Sequence, residues 1–146
     1  MDDLRRGPAS RVPAAAAAGL TVAAGLGVRA GAAALGVRAG AVGEVAKYAG
    51  DALYTVLVYA LVVLVAPAVR PARAALWAVA VSWAVELFQA TGLPEAWGRH
   101  SGLVQLVLGS TFDPPDLAWY PVGALGAALV HRALRAQRAT APGGSG

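Results

Sequence analysis

Apolar residues run along this chain in long blocks, separated by short clusters of arginine, proline and glycine. Ala52 to Val69 is 18 residues without a charge, and Ala74 to Pro94 is 21 residues with one charge, Glu86. Crossing the hydrocarbon of a bilayer takes about 20 mostly apolar residues, so each block predicts a membrane-spanning helix. Ala14 to Val28 and Leu117 to Val130 are shorter, at 15 and 14 residues. The second of these needs His131 to Leu134 to reach length. Both rely on packing against the stronger pair. Pro67, Arg70, Pro71 and Arg73 make a basic turn between the second and third blocks. Gly92 and Pro94 end the third, and Pro114, Pro115 and Asp116 open the fourth, where Asp suits a helix start. Pro121 lies early in that last helix, where it kinks the helix or marks its first turn.

The first block has a rival reading. Arg5, Arg6 and Arg11 precede it and small residues follow, as in a secretory signal, and the paired arginines also fit a twin-arginine export signal. Gly19, Ala23 and Gly27 repeat at four-residue spacing, which places a small-residue stripe on one helix face and favours a retained, packed helix. The pattern thus predicts an all-α membrane domain over 1–138, with four transmembrane helices at about 13–29, 50–67, 73–92 and 116–135. The tail 139–146 is expected to be disordered. Two loops are more than turns. Ala30 to Ala49 carries Val37, Ala41, Val45 and Tyr48 at helical spacing and is expected on the membrane surface. The long loop Gly92 to Pro115 holds the apolar stretch Leu103 to Leu108. It is too short to span and is expected to form a re-entrant or interfacial segment.

Composition points the same way. Hydrophobic residues make up 58%, charged residues 14%, and mean hydropathy is +0.58. A soluble domain is about 45–50% apolar and about 25% charged, so a soluble enzyme and a disordered chain are both disfavoured. Heavy Ala, Gly and Arg usage resembles the output of a high-GC bacterial genome. The absence of cysteine excludes disulfides, thiolate chemistry and Cys-ligated zinc. Two distant histidines do not make a zinc site, and no cofactor or metal is expected. The net charge of +4 and pI of about 10.1 would suit nucleic acid, but the basic residues sit at the edges of apolar runs, which is the membrane pattern. Four spans put Arg5, Arg6, Arg11, Arg70, Arg73, Arg132, Arg135 and Arg138 on one side. Arg29, Arg38, Lys47 and Arg99 fall on the other. Positive-inside then places both termini in the cytoplasm of a bacterial plasma membrane.

That topology collects polar residues at the outer side. Asp51 starts the second helix, with Tyr54, Thr55 and Tyr59 following on one face. Glu86 and Gln89 share a face near the end of the third, and Ser82 extends it inward. Glu86 lies roughly 7 Å inside the helix end at 1.5 Å per residue. Arg99 is in the adjoining loop and Asp116 heads the fourth helix. A carboxylate at depth costs about 2.5–3.5 kcal/mol on insertion scales, so Glu86 needs a partner. Arg99, with its planar fork, is the expected one, with Asp116 close by. The cluster has a structural reading, a latch holding weakly apolar helices together, and a functional one, a site for a polar head group. His131, Tyr120 and the tryptophans Trp83, Trp97 and Trp119 are read as interface residues. Gly123 and Gly126 are read as a packing face.

The strings Tyr48-Ala-Gly-Asp51-Ala-Leu, Glu86-Leu-Phe-Gln89, Arg99, Gly102-Leu-Val-Gln-Leu-Val-Leu-Gly109, Phe112 and Asp116-Leu-Ala-Trp-Tyr120 with Gly123 occur in order. In this the chain resembles a bacterial membrane family, domain of unknown function 2809, from about Arg29 to Val130. Glu86-x-x-Gln89, Arg99, Asp116 and Gly123-x-x-Gly126 are also similar to the VanZ-like family. Tyr120 stands where that family often has an Asn. The second resemblance implies a link to glycopeptide tolerance and the cell envelope; neither implies a reaction.

Three functions compete. The first is a non-enzymatic envelope protein that binds a membrane lipid, a lipid-linked precursor or a membrane-protein partner through Asp51, Glu86, Gln89, Arg99 and Asp116. The second is an intramembrane hydrolase or transferase with Glu86 and Asp116 as acid and base and Arg99 stabilising negative charge. The third is a subunit of an oligomeric transporter. The first is favoured, since perturbed acids in membranes are more often binding or structural groups than catalysts.

Overall fold

The computed structural model describes residues 12–13, 15–23, 41–98, 101, 112 and 114–140. Its named elements are α1 (Ala41–Val65), α2 (Pro71–Gln89), α3 (Leu93–Gly98) and α4 (Asp116–Thr140). Residues 12–13, just before the first apolar block, and 15–23, within it, are also helical. Helices α1, α2 and α4 each pack on the other two, and α3 rests on α2. The direction of the chain alternates, so α1 and α4 run against α2.

Two of these helices are long and apolar enough to cross a membrane, Gly43–Val65 within α1 and Pro71–Gln89. Their surfaces are inverted relative to a protein folded in water. The largest fully buried side chains are Glu86, Thr55 and Ser82. Meanwhile Leu76, Trp77, Leu87, Leu125 and Leu129 are all more than half exposed. Water would drive those residues inward; in lipid they carry no such penalty, and the polar groups are the ones that must be enclosed. The third long helix, α4, carries Arg132, Arg135 and Arg138 in its second half and is not among the two. The expected first span lies partly outside the described residues, and the expected re-entrant stretch Leu103 to Leu108 wholly so.

Three boundaries differ from the sequence reading. α1 begins at Ala41, not near 50, so the last part of the stretch expected on the membrane surface is continuous with the spanning helix. No proline interrupts it, and Gly43 and Gly50 each cost only about 1 kcal/mol relative to alanine. Val45, Tyr48 and Lys47 therefore belong to the helix that carries Asp51. α2 starts at Pro71, which occupies the first helical position behind an extended Arg70 (φ −68°, ψ 141°). Proline is favoured there because its missing N–H has no helical partner to lose. α4 runs to Thr140, so the first residues of the expected disordered tail are helical.

The turns follow from local chemistry. After α1, Val69 N–H donates to the Ala66 carbonyl at 3.0 Å, closing a tight turn through Pro67. After α2, Gly92 takes φ +72°, a conformation that side chains disfavour. Its N–H donates to the Gln89 carbonyl at 3.0 Å. Thr91 completes this end: its hydroxyl donates to the Phe88 carbonyl at 2.6 Å and accepts from Leu93 N–H at 3.3 Å.

Pro121 lies within α4. An ordinary residue there would donate its N–H to the carbonyl four residues back, Leu117. Proline has no N–H, so that carbonyl is released. Trp83 of α2 takes it, its indole N–H donating at 3.0 Å. A backbone defect in one helix thus becomes a link to its neighbour.

Helices α1 and α4 cross closely at Gly123. A Cβ built there would fall 2.2 Å from the Ala52 carbonyl oxygen. Only glycine allows this approach, which is the use membrane helices make of small residues. Gly126, one turn on, faces open space. Around the crossing, Val58, Tyr59, Val63, Ala74, Ala78 and Ala128 form the apolar core.

Candidate functional site

The close α1–α4 crossing brings three carboxyl groups from three helices to one end of the bundle. Asp116, in the first turn of α4, is buried, and Glu86 of α2 is 2% exposed. Asp51 of α1 lies within electrostatic reach of both. Lys47, one turn before Asp51 on α1, pairs with the Asp116 carboxylate. Its ammonium also stands 3.9 Å from Asp51 Oδ2 and 5.4 Å from the centre of the Tyr48 ring. That spacing of four residues puts Lys47 and Asp51 on one helix face. Asp51 Oδ2 is buried and accepts no hydrogen bond from the described residues.

Glu86 is served from α4. Tyr120 O–H donates to Glu86 Oε2 at 2.6 Å, both groups being buried. The Tyr120 ring lies 6.4 Å from that of Tyr54, tilted by 57°. Tyr48 and Trp119 stack at 5.2 Å, closing the α1–α4 seam beside Lys47. Below the acids, the Thr55 and Ser82 hydroxyls meet at 3.2 Å, and Thr55 O–H is 3.4 Å from the Asp51 carbonyl. The polar groups therefore form a continuous strip inside the bundle, from Lys47 down to Ser82. A carboxylate enclosed in this way is kept by its donors, since an unpaired one is expensive to bury.

Of the residues singled out from sequence, Asp51, Glu86 and Asp116 meet. Gln89 lies three residues beyond Glu86 on α2, half-buried and in polar contact. Arg99 lies outside the described residues. Two contributors were not on that list. The sequence pattern puts Lys47 in a stretch on the membrane surface; the signal for its role is its i,i+4 relation to Asp51, which counts only once α1 is continuous. Tyr120, expected as an interface aromatic, is instead buried with its hydroxyl on Glu86; the available signal is that a hydroxyl four residues after Asp116 shares its face. No group of three or more His, Cys, Asp or Glu able to hold a metal ion occurs among the described residues.

A second polar cluster occupies the opposite end. His131 of α4, expected as an interface residue, stands between two partners. Arg135 Nε–H donates to His131 Nε2 at 3.0 Å. A guanidinium only donates, so Nε2 must be the accepting nitrogen and the ring proton of the neutral imidazole sits on Nδ1. Nδ1–H then donates to the Tyr59 hydroxyl oxygen at 2.8 Å. This leaves the Tyr59 proton for the Pro71 carbonyl at 3.5 Å. Arg135 also donates from Nη2 to the carbonyls of Val69 (3.0 Å) and Pro67 (3.4 Å). The chain of donors ties α4 to the α1–α2 turn.

Comparison with known proteins adds one relation. No curated protein and no solved structure matches the chain. A family model described as "Protein of unknown function (DUF2809)" matches residues 41–124. That stretch holds all of α1, α2 and α3, the head of α4, and every acid and donor of the carboxyl cluster, and it lies inside the span from about Arg29 to Val130 over which the sequence resembles the family. With more than half its length matched, the chain belongs to the DUF2809 family.

Proposed function

We propose that this is a small integral membrane protein of the bacterial cell envelope that binds a lipid or lipid-linked head group through Asp51, Glu86, Gln89, Arg99 and Asp116. The observation that carries the reading is the inverted packing. Buried acids and hydroxyls, Asp116, Glu86, Thr55 and Ser82, lie among mostly small apolar residues inside a bundle whose outer faces carry Leu, Val and Trp. A polar strip in apolar surroundings is by default a functional candidate. Its opening at one end, where Lys47 is 40% exposed beside the 7% exposed Asp116 side chain, gives a head group a route to the acids. The two termini lie in the cytoplasm on this reading, and the carboxyl cluster belongs to the outer leaflet.

The test is lipid mass spectrometry on the purified full chain, comparing wild type with Arg99→Ala and Asp51→Asn. Selective loss of one head-group class in the variants is the expected result. Wild-type protein carrying no lipid that the variants lose would remove the binding reading. Steady accumulation of a cleaved lipid would replace it with the catalytic one, in which Glu86 and Asp116 act as acid and base.

A further inference from the structure

We infer that the arginine end of α2 is a separate binding site for an anionic phospholipid. The site consists of Arg70, Arg73, Leu76, Trp77 and Ala80. It depends on the chain lying in a membrane but not on what the carboxyl cluster binds.

The first observation is charge. Arg135 contacts the Pro67 and Val69 carbonyls, so the C-terminal part of α4 and the α1–α2 turn share one end of the bundle. Arg70, Arg73, Arg132, Arg135 and Arg138 all stand there, exposed. The chain has no acidic residue from 52 to 85 or from 117 to 140. The partners of Arg135 are a neutral imidazole and backbone carbonyls, which leave its charge uncompensated. This end therefore presents five positive charges and no carboxylate of its own among the described residues. A phosphate is an anion that a guanidinium fork matches, as it does a carboxylate.

The second observation is shape. A shallow cleft of about 310 Å³ opens beside Arg73, lined among the described residues by Arg73, Leu76, Trp77 and Ala80. That volume falls at the low end of small-molecule sites, about 300–1,000 Å³. The four residues follow one face of α2, so the cleft runs from the arginine inward by roughly 10 Å at 1.5 Å per residue. Leu76 and Trp77 are 71% and 63% exposed, so the apolar wall is turned outward.

Charge at the mouth and an apolar wall within together specify the occupant. A nucleic acid would use the arginines and leave Leu76 and Trp77 in water. An acyl chain alone would use the wall and ignore the arginines. A phospholipid with a net negative head group uses both, on a helix long and apolar enough to cross the bilayer. Anionic lipids are the partners that basic residues at such a boundary select.

The experiment uses the full chain purified in detergent and supplied with phosphatidylglycerol and phosphatidylcholine of identical acyl chains, read by native mass spectrometry. Wild type should retain phosphatidylglycerol preferentially. Arg70→Gln with Arg73→Gln should cut that preference by about tenfold or more, the effect of two arginines near an anionic surface. Arg132→Gln with Arg138→Gln removes the same charge away from the cleft and should keep the preference. Equal retention of the two lipids by wild type overturns the site. So does an equal loss in both double variants, which would mean diffuse attraction. A readout independent of the arginine variants is quenching of Trp77 fluorescence by brominated lipids, taken as wild type minus Trp77→Phe. Brominated phosphatidylglycerol should quench that difference more than brominated phosphatidylcholine, and equal quenching again refutes the site. A chain that stays in solution without detergent would refute the membrane reading itself, which separates that failure from failure of the lipid site.

Discussion

At one end of the bundle, Asp51, Glu86 and Asp116 are drawn in between helices. At the other, Arg70, Arg73, Arg132 and Arg138 stand outward. The contrast follows from side-chain length. A carboxylate on one or two methylenes cannot reach out of an apolar layer, so it must find donors inside it. Arginine has the reach to lay its stem on apolar surface and leave its charge in the polar boundary. The acid end is therefore built from matched partners, Lys47 for Asp116 and Tyr120 for Glu86. The basic end needs few. Changes at the acid end should register first as lost stability, and changes at the basic end first as altered association with lipid.

The largest expected effect is at Lys47. Removing one partner of a buried pair costs about 3–5 kcal/mol, because the other charge is stranded. Lys47 is 40% exposed, so the lower end of that range, about 3 kcal/mol, is expected for Lys47→Ala, measured by unfolding in detergent. Combining it with Asp116→Asn should recover part of the loss, since the carboxylate that Lys47 pairs with directly is then gone, while Asp51, 3.9 Å from the ammonium, still loses its neighbour. Strictly additive losses would show that the two ends do not differ in the way described.

Tyr120→Phe comes next. The ring is kept, with its contact to Tyr54, and only the hydroxyl donating to Glu86 is lost. A hydrogen bond to a charged group contributes about 1.5–3 kcal/mol. An unchanged unfolding midpoint would mean that Glu86 is held by its other contacts and that the Tyr120 bond is incidental.

The crossing that assembles the acid end is tested by two glycines. Gly123→Ala drives a Cβ into the Ala52 backbone, which cannot rotate away. Overpacking of this kind costs about 1–3 kcal/mol, and the separation of α1 from α4 should also loosen the Lys47–Asp116 pair. Gly126→Ala enters open space and should be neutral or stabilising by up to about 1 kcal/mol. Equal effects at the two positions would mean that the helices do not cross closely at Gly123.

How much of this could be read from the residues depends on the kind of signal. The second and third apolar blocks are long enough to identify α1 and α2 as spanning candidates, because span length is a direct property of sequence. The polar strip was legible through Asp51, Glu86 and Asp116, since an acid in an apolar run always demands an explanation. Its donors were not. Lys47 looked like a loop charge because Gly50 suggested a helix start at Asp51, whereas α1 runs through that glycine. Tyr120 was overlooked because arginine is the stronger default partner for a carboxylate, and Arg99 was near in sequence. The link from Trp83 to the Leu117 carbonyl could have been half anticipated: Pro121 announces a released carbonyl, but nothing local says which helix supplies the donor. The His131 relay was only half legible: a last helix running to about residue 135 already carries His131 and Arg135, but nothing local says that the Tyr59 hydroxyl and the turn carbonyls of Pro67 and Val69 stand opposite them.

The smallest expected effect lies in that relay. Tyr59→Phe removes the acceptor of His131 Nδ1–H and the donor to the Pro71 carbonyl. Both bonds are between neutral groups, and such bonds contribute about 0.5–1.5 kcal/mol each. The Pro71 bond is long at 3.5 Å and adds little. His131 is only half-buried, so solvent or head groups can replace the lost acceptor. A loss of about 1 kcal/mol or less is therefore expected, below that of Tyr120→Phe although both changes delete one tyrosine hydroxyl. The imidazole tautomer supplies a sharper readout than stability. Nitrogen chemical shifts of His131 should show Nδ1 protonated and Nε2 unprotonated in wild type. Tyr59→Phe should keep that tautomer, because Arg135 still requires an acceptor at Nε2. Arg135→Gln should release it, since a glutamine amide can serve either nitrogen as donor or acceptor. A wild-type ring protonated on Nε2 would break the direction assigned to the relay. A Tyr59→Phe loss equal to that of Tyr120→Phe would erase the difference between the enclosed acid end and the open basic one.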